Sequence, residues 1–294
     1  MNLSKNFSHR FGAVFFFGFT ILAHGSVSDA QLQKQYGGKV LTIRQFYPGY
    51  HLHFDATGKL DSAVAPGAWT VDGQVQVKTI VLKDGVVHIL GQRLLLFFDT
   101  ESKQLRDVGS LTTKDTAMKR FSRKNVDEWA VEEGRIEIEV ECGMTHPKKA
   151  DLIKAMNAVF LAPGEALAGV APDFWKSYLS EPKLGLRERW ARQISVEEGV
   201  SDVTGGFSLP VPAYQPEPPF SQQARQAGYM AITTLGLLVD QDGLPQHIQI
   251  LQPAGMGLDE NAVGAVRTWR FHPAQREGKT ARAWIAVNVD FHLY

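Results

Sequence analysis

Apolar and polar positions alternate most regularly near the end of the chain. In the segment 284–293, one face of the predicted strand carries Ile285, Val287, Val289, Phe291 and Leu293, and the other carries Trp284, Ala286, Asn288, Asp290 and His292. This is the pattern of a half-buried β-strand. Earlier, the apolar run 232–239 is followed by turn residues at 240–243 and by Ile248 and Ile250, which alternate with polar residues. This arrangement predicts a β-hairpin.

The stretch between the hairpin and the final strand has the spacing of an amphipathic helix. Five apolar residues recur on one helical face: Leu258, Ala262, Val263, Val266 and Trp269. Acidic residues come first and arginines last, which suits the helix dipole. Pro273 removes a backbone donor and restricts His272, so the helix is predicted to end near Arg270. The predicted order is strand, strand, helix, strand.

Residues 31–145 are predicted to form a separate, β-rich domain. Strand-like runs, separated by turn residues, occupy 39–44, 50–54, 69–82, 86–90 and 94–98. Arg135–Glu141 then alternates apolar residues with glutamates, which gives one buried face and one acidic face. Many short strands with turn signals favour an antiparallel meander closed into a small barrel or sandwich. Such a barrel can hold an apolar ligand in its mouth.

Residues 146–195 change to helical periodicity. The spacing of apolar residues predicts one helix that starts at Pro147 and two more over 173–179 and 186–194. These helices are expected either to close one end of the barrel or to pack between the domains. Residues 196–219 are rich in glycine and proline and are predicted to be a linker.

The N-terminus has the organisation of an export signal. Lys5, His9 and Arg10 precede the apolar run 11–23, and small residues follow it. A helix of this run reaches ~20 Å, which is short of the ~30 Å hydrocarbon core of a bilayer. We therefore predict that residues 1–30 are a secretory signal peptide. The alternative is an uncleaved N-terminus that anchors the protein in a membrane.

Composition fits an exported protein of more than one domain. The chain has 294 residues, with 31 basic and 31 acidic side chains and a formal net charge of zero. This balance removes the electrostatic case for binding nucleic acid. Cys142 is the single cysteine, so it cannot form an internal disulfide, and we expect a buried thiol at a strand end.

The chain offers few residues for catalysis or metal binding. His51 and His53 lie on the same side of a predicted strand, but no third ligand follows at a recognisable spacing. Cys142 and His146 are close in sequence, although a strand end between them does not orient a nucleophile and a base. Nucleophile-elbow, phosphate-loop and zinc-protease motifs do not occur. We predict a protein that is not an enzyme, with no catalytic residues, no metal and no cofactor.

Residues from about 210 to 294 resemble the C-terminal domain of TonB-family energy transducers. The resemblance lies in short motifs: Pro216-Glu217-Pro218-Pro219-Phe220-Ser221, Ala224-Arg225, Gly257-Leu258-Asp259, Trp269-Arg270-Phe271, Pro273-Ala274 and Gly278. The chain departs from the family pattern at Phe220-Ser221, where Tyr-Pro is usual, and at Ala231, where Gly is usual. The first 209 residues resemble no family that we recognise.

The resemblance implies a periplasmic module that binds a short peptide of an outer-membrane transporter. Family members add this peptide as a strand to the edge of their sheet, which requires an unpaired edge. The outward face of the final strand, with Ala286, Asn288 and Asp290, is the expected contact. The full predicted site is Ile285, Ala286, Val287, Asn288, Val289 and Asp290. An exposed edge also permits two copies to exchange strands as a homodimer.

The sequence thus predicts an α+β protein in the periplasm. A mostly antiparallel β domain with helices is followed by a C-terminal β-β-α-β domain. Its expected function is peptide capture by strand addition, linked to envelope transport. Two alternatives stay open: a membrane-anchored energy transducer with an uncleaved N-terminus, and a ligand-binding barrel that uses the C-terminal module for assembly.

Overall fold

The computed structural model describes residues 27–112, 114–132, 134–195 and 207–293. The predicted signal peptide lies outside this part of the chain, apart from residues 27–30, and so do residues 196–206 of the predicted linker. The described residues form helices and several mostly antiparallel sheets, so the predicted α+β class is confirmed. Within the described ranges, no helix is both long and apolar enough to cross a membrane.

The regular elements are numbered in chain order. The α-helices are α1 (Asp29–Tyr36), α2 (Trp69–Asp72), α3 (Arg123–Glu132), α4 (Lys149–Val159), α5 (Asp173–Ser180), α6 (Leu186–Ser195), α7 (Gln222–Ala227) and α8 (Leu258–Val266). The strands of the N-terminal half are β1 (Val40–Thr42), β2 (His51–Phe54), β3 (Gln74–Lys83), β4 (Val86–Arg93), β5 (Leu96–Asp99), β6 (Gln104–Asp107) and β7 (Arg135–Glu141). The remaining strands are β8 (Phe207–Ser208), β9 (Val211–Tyr214), β10 (Ala231–Val239), β11 (Pro245–Gln252), β12 (Arg270–His272), β13 (Ala274–Arg276), β14 (Lys279–Ala281) and β15 (Ala283–Phe291).

The N-terminal half contains an open sheet in the order β1-β3-β4-β7-β2. Asp84 and Gly85 join β3 to β4 with φ values of 51° and 83°, and positive φ at both positions is what a tight hairpin turn requires. The neighbours β2 and β7 are parallel, and the long connection between them contains β3 to β6 and α3. The predicted meander therefore holds only in part.

The prediction of a closed barrel or sandwich is wrong for the N-terminal half. Strands β1 and β2 lie at opposite edges of the open sheet, so this half has no barrel mouth. One face of the sheet is buried instead by helices, since Leu32 of α1 and Leu152 and Met156 of α4 belong to its hydrophobic core. Alternation in the sequence identified the buried face correctly but did not reveal that helices cover it.

A second difference concerns the predicted strand 69–82. Its first four residues form the short helix α2, and all four of them are buried. Gly73 ends the helix, with its N–H donating to the Trp69 carbonyl at 3.0 Å, and β3 begins at the next residue. The ring of Trp69 packs edge-on against Trp175, with ring centroids 5.5 Å apart. In α2, Trp69 and Val71 alternate with the polar residues Thr70 and Asp72, which is the pattern of a strand, and four residues are too few to show a helical period.

The C-terminal sheet has the order β11-β10-β15 and is antiparallel throughout. Strands β10 and β15 pair from Ala231↔Phe291 to Val239↔Ala283 without a register shift. Helix α8 packs against this sheet through Leu258, Ala262 and Val266, which are all fully buried. The predicted two strands, helix and final strand are confirmed as β10, β11, α8 and β15, and the short strands β12, β13 and β14 lie between α8 and β15 in addition.

The end of α8 differs from its prediction. The helix stops at Val266 rather than near Arg270, and Arg270 already belongs to β12. Residues 207–214, inside the stretch predicted as a linker, supply the reason. They form β8 and β9, which pair with β13 and β12. Pairing with β9 holds Arg270 in an extended conformation.

The C-terminal sheet shares its hydrophobic core with the N-terminal half. Phe97 and Phe121 contact Tyr229, which lies two residues before β10, and their ring centroids are 6.2 and 4.9 Å from that of the tyrosine. Strand β5 also bonds to the loop before α8, since Phe98 N–H donates to the Ala254 carbonyl at 2.9 Å. The C-terminal sheet is therefore docked on the rest of the protein.

Candidate functional site

Strand β15 carries the whole predicted peptide-binding site. On one side it pairs with β10, and no strand of the described residues pairs with its other side. Ala286, Asn288 and Asp290 are exposed, as the alternation predicts. Ile285 and Val287 are half-buried, and Val289 is buried. The strand is thus fixed by its apolar face while its outer edge stays accessible.

A groove of about 550 Å³ runs beside the C-terminal part of β15. One wall is formed by residues 288–293, and the other by residues 215–220, with Trp269 between them. The proline-rich wall is held by two hydrogen bonds. The indole N–H of Trp269 donates to the Pro216 carbonyl at 3.1 Å, and Asn261 Nδ2 donates to the Pro219 carbonyl at 2.9 Å.

Aromatic contacts close the base of this groove. Phe220 packs edge-on against Phe291 of β15, with ring centroids 5.7 Å apart. The guanidinium of Arg225 lies 5.3 Å from the centre of the Phe220 ring. Two fixed walls with apolar and charged side chains form a preorganised channel beside the strand edge.

The opposite side of the C-terminal sheet is occupied. Helix α5 packs against β11, and Trp175 and Tyr178 of this helix are buried. The guanidinium of Arg189, from α6, lies 4.4 Å from the centre of the Tyr178 ring and donates to the Ser177 carbonyl at 3.1 Å. Burial raises the pKa of Tyr178 to about 12, so its hydroxyl is neutral.

Strand β9 offers a second exposed edge of a different character. All four of its residues are exposed, including Val211 and Tyr214. Pro212 lies inside the strand and has no backbone N–H, and Pro210 precedes it. Prolines at an edge prevent continuous pairing with a further strand. The nine residues of β15 contain no proline, so its edge lacks this protection.

A buried carboxylate fixes the loop that leads into α8. Asp259 accepts backbone N–H bonds from Ala254 and Gly255, both at 2.7 Å, and a hydroxyl bond from Thr233 of β10 at 2.8 Å. Burial raises the pKa of Asp259 to about 6, while these three bonds oppose the rise. The group is therefore ionised at neutral pH, where it joins β10 to the helix.

The neighbouring carboxyl of Glu260 has a larger shift. Burial of its oxygens, together with the charge of Asp259, raises its pKa to about 8. Trp175 Nε1 donates to Glu260 Oε1 at 2.8 Å, and Oε2 has no hydrogen-bond partner within the described ranges. The residue as a whole is half-buried, but its head group is desolvated. A protonated Glu260 at neutral pH follows from this environment.

The histidine pair found in the sequence lies on the outer face of the N-terminal sheet. His53 Nδ1 lies 3.3 Å from Glu139 Oε2, and His51 Nε2 lies 3.4 Å from the same oxygen. His88 of β4 approaches Glu139 from the other side, with Nδ1 3.1 Å from Oε1. Sequence spacing did not identify this cluster, because His88 and Glu139 come from other strands. In the described part of the chain, no group of three or more such residues is arranged to hold a metal ion.

Cys142 is a buried thiol directly after β7, as predicted. Burial raises its pKa, which is the opposite of what an activated thiolate requires. His146 is exposed. The environment of Cys142 thus gives no support to a nucleophile at this position.

Comparison with known proteins assigns the C-terminal part. Residues 216–293 match the family model of the Gram-negative bacterial TonB protein C-terminal. These residues are a TonB C-terminal domain. Over 81 residues the chain is 35% identical to Protein tonB2 of Pseudomonas aeruginosa, a match that covers 27% of this chain and 30% of that relative. The chain thus spans under a third of that relative's length. The family match, at residues 216–293, does not include the N-terminal sheet.

The motif residues of the TonB C-terminal domain have structural roles here. Gly257 adopts φ 73° directly before α8, which a side chain would disfavour. Phe271 N–H donates to the Gly243 carbonyl at 3.0 Å and so fastens β12 to the hairpin turn. Ser221, where the family usually has proline, accepts the Ala224 N–H at 3.1 Å as the N-cap of α7. These residues build the domain, and the accessible edge lies elsewhere, on β15.

Proposed function

We propose that this protein acts in transport at the cell envelope, as a binding protein rather than an enzyme. Its TonB C-terminal domain binds an extended peptide of an outer-membrane transporter as an added strand. The observation that carries the proposal is the edge of β15, which has no strand partner in the described ranges and no proline along its length. Exposed backbone N–H and C=O groups on such an edge can pair with another chain.

The packing of the domain favours β15 over the other edges. Helix α5 packs on β11, and prolines interrupt β9. Beside β15, the groove between residues 215–220 and 288–293 offers space for the side chains of an added strand. The predicted contact residues from Ile285 to Asp290 lie along this same edge.

The expected affinity is modest. Five or six backbone hydrogen bonds, each with a net contribution of ~0.5–1.5 kcal/mol, give roughly 3–8 kcal/mol before the cost of ordering the peptide. Such binding is transient unless side chains add to it. Transient binding suits a partner that must be released after each transport event.

The compartment follows from the same proposal. The matched family is the C-terminal domain of Gram-negative bacterial TonB proteins, and the resemblance implies a transporter peptide that is bound in the periplasm. The proposed protein is therefore exported, with residues 1–30 removed as a signal peptide. Intact-mass measurement of the exported protein tests this point, since a mass that retains the N-terminus supports the alternative of a membrane-anchored energy transducer.

A titration of the full chain tests peptide capture. Isotope-labelled protein is mixed with peptides from the N-termini of outer-membrane transporters, and amide chemical shifts are followed. Shifts are expected at residues 285–290 but not at β1, the edge of the N-terminal sheet. A peptide of identical sequence with alternate backbone amides methylated is the matched control, because it keeps every side chain but cannot complete the ladder. No shift at millimolar peptide, or equal binding of the methylated peptide, contradicts strand addition.

A further inference from the structure

A second groove, of about 350 Å³, lies at the seam between the N-terminal half and the TonB C-terminal domain. The N-terminal half contributes Thr100 and Arg120 to its lining, and the C-terminal domain contributes Met230, Ile232 and Asp290. We call this the seam groove. It lies where β10 begins and where β15 ends, so it is at the end of the sheet rather than along its edge.

The seam groove adjoins the groove beside β15 at the end of that strand. Residues 290–292 line both of them. Asp290 is also paired in register with Ile232 of β10, which lies in the seam groove. A peptide that pairs with β15 and continues beyond Phe291 therefore leaves the ladder next to the seam groove.

The N-terminal half brings a positive charge to this place. Arg120 Nη1 donates to the Phe98 carbonyl at 3.0 Å, and Nη2 donates to the Tyr229 hydroxyl at 3.1 Å. Neither acceptor carries a charge, because burial raises the pKa of Tyr229 and keeps its hydroxyl protonated. A guanidinium has five N–H donors, so donors remain for a carboxylate.

The position of Arg120 is fixed relative to the C-terminal domain. Its guanidinium lies 4.9 Å from the centre of the Tyr229 ring, and the next residue, Phe121, stacks on the same ring. Ser122 N–H donates to the Ala227 carbonyl at 2.8 Å. These contacts hold the cation at the seam before any partner arrives.

The rest of the lining is apolar on the side of β10. Met230 and Ile232 are 50% and 44% exposed, which is high for large apolar side chains next to a core. Asp290 is exposed on the β15 side, and its charge disfavours a second carboxylate there. A segment with an apolar side chain toward Met230 and a carboxylate toward Arg120 therefore complements this surface.

We propose that Arg120 of the N-terminal half recognises an acidic residue of the partner peptide. This residue lies just beyond the part of the peptide that pairs with β15, and it determines which peptides are selected. This inference rests on the proposed capture of a peptide by β15. It assigns the N-terminal half a role in recognition, since Arg120 and Thr100 lie outside the TonB C-terminal domain. The occupant is a continuation of the same transporter peptide, with an apolar residue next to Asp or Glu.

Binding of five synthetic peptides to the full chain tests the inference. One is a core peptide that only spans β15. The other four are the core peptide with three added residues, two of them extended at the N-terminus and two at the C-terminus. Within each pair, one peptide has Glu and the other has Gln at the same added position. At one of the two ends, the Glu peptide is expected to bind roughly three- to tenfold more tightly than its Gln counterpart. Titration calorimetry at low salt measures each dissociation constant.

Variants then assign the preference to Arg120. Arg120→Gln is expected to abolish the difference between Glu and Gln peptides and to leave core-peptide binding unchanged. Lys119→Gln removes the same charge from the neighbouring exposed residue and is expected to keep the difference. Arg120→Lys retains a cation and is expected to keep part of the difference in affinity between the Glu and Gln peptides. Because the Glu and Gln peptides are compared on the unaltered protein first, the test does not depend on the folding of any variant.

The outcomes separate the two proposals. Equal binding of Glu and Gln peptides at both ends, with the core peptide still bound, overturns the role of Arg120 and leaves strand addition intact. A preference for Glu that persists in Arg120→Gln also overturns it. Failure of every peptide to bind overturns both proposals together.

Discussion

The indole nitrogen of Trp175 lies 2.8 Å from Glu260 Oε1 and donates a hydrogen bond to it. This bond joins α5, from the middle of the chain, to the first turn of α8 in the TonB C-terminal domain. Trp175 is fully buried, and the Glu260 head group is desolvated beside Asp259. The link between the two halves of the protein therefore depends on a carboxyl group that is uncharged at neutral pH.

The stability of the protein is expected to fall as pH rises toward 8. The pKa of Glu260 is about 8 in the folded protein, against an ordinary value of 4.5. The folded state thus binds more protons than the unfolded state between these two pH values. The stabilisation of the fold that arises from Glu260 is therefore complete below pH 4.5 and is lost by about pH 8. The slope is at most about 1.4 kcal/mol per pH unit. Asp259 shifts in the same direction, between 3.8 and about 6.

Urea unfolding at a series of pH values measures this slope. Glu260→Gln keeps the shape of a neutral carboxyl and is expected to reduce the slope above pH 6. Glu277→Gln, at an exposed turn between β13 and β14, is the control and is expected to leave the slope unchanged. An unchanged slope in Glu260→Gln would show that Glu260 ionises normally.

Phe97→Ala is expected to destabilise the protein by about 3–5 kcal/mol. Phe97 is fully buried and packs against Phe121, with ring centroids 5.0 Å apart, and against Tyr229. Because these rings join the two halves, the loss applies to the shared core rather than to one half. Val64→Ala, at a residue that is 41% exposed, is expected to change stability by less than about 0.5 kcal/mol. Denaturant midpoints give both values, and a small effect of Phe97→Ala would mean that the halves are not packed together.

Gly243→Ala is expected to cost more stability than Gly278→Ala. Both glycines have positive φ, 77° and 76°, so both substitutions carry a backbone cost of about 1 kcal/mol. A Cβ at Gly243 would overlap the Phe271 carbonyl, whereas nothing lies within 4 Å of one at Gly278. The clash adds about 1–3 kcal/mol. Thermal unfolding of the two variants compares them directly, and equal losses would place the hairpin turn away from Phe271.

Asp259→Asn is expected to destabilise the TonB C-terminal domain by about 1–3 kcal/mol. An amide has one acceptor oxygen, but the Asp259 carboxylate accepts two backbone N–H groups through different oxygens, at 2.7 Å each. In Asp259→Asn, the side-chain nitrogen would face the N–H of Ala254 or Gly255, and two donors cannot bond to each other. Thr233→Val removes only the hydroxyl bond to Asp259 and is the milder comparison, at about 1 kcal/mol. A neutral effect of Asp259→Asn in urea unfolding would contradict the bonding described for this loop.

The sequence was sufficient to predict those helices and strands that have one buried face and one solvent-exposed face. Strand β7 and helix α8 have one buried and one wet face, so alternation or helical spacing revealed both. Helix α2 escaped prediction because its four residues alternate apolar and polar side chains, as in a strand, and are too few to show a helical period. Strands β8 and β9 escaped prediction because the glycines and prolines in and around them indicate a linker, although β8 pairs with β13 and β9 pairs with β12.

The arrangement of the elements was harder to predict than the elements themselves. Alternation shows which face of a strand is buried but not whether the sheet closes, and so the expected barrel is an open sheet under α1 and α4. The contacts of Arg120 with Tyr229 join residues 109 positions apart, and no local pattern encodes them. The strand of the predicted binding site was identifiable from its alternation, whereas the seam groove required the fold.

The unbroken register between β10 and β15 has a mechanical consequence. Residue pairs from Ala231↔Phe291 to Val239↔Ala283 follow one another without a bulge. A peptide that extends this ladder and is pulled along its own axis would load its hydrogen bonds together, in shear, instead of opening them one after another. A tether that is weak at equilibrium can then resist a brief tensile force, because several bonds must fail in a single step.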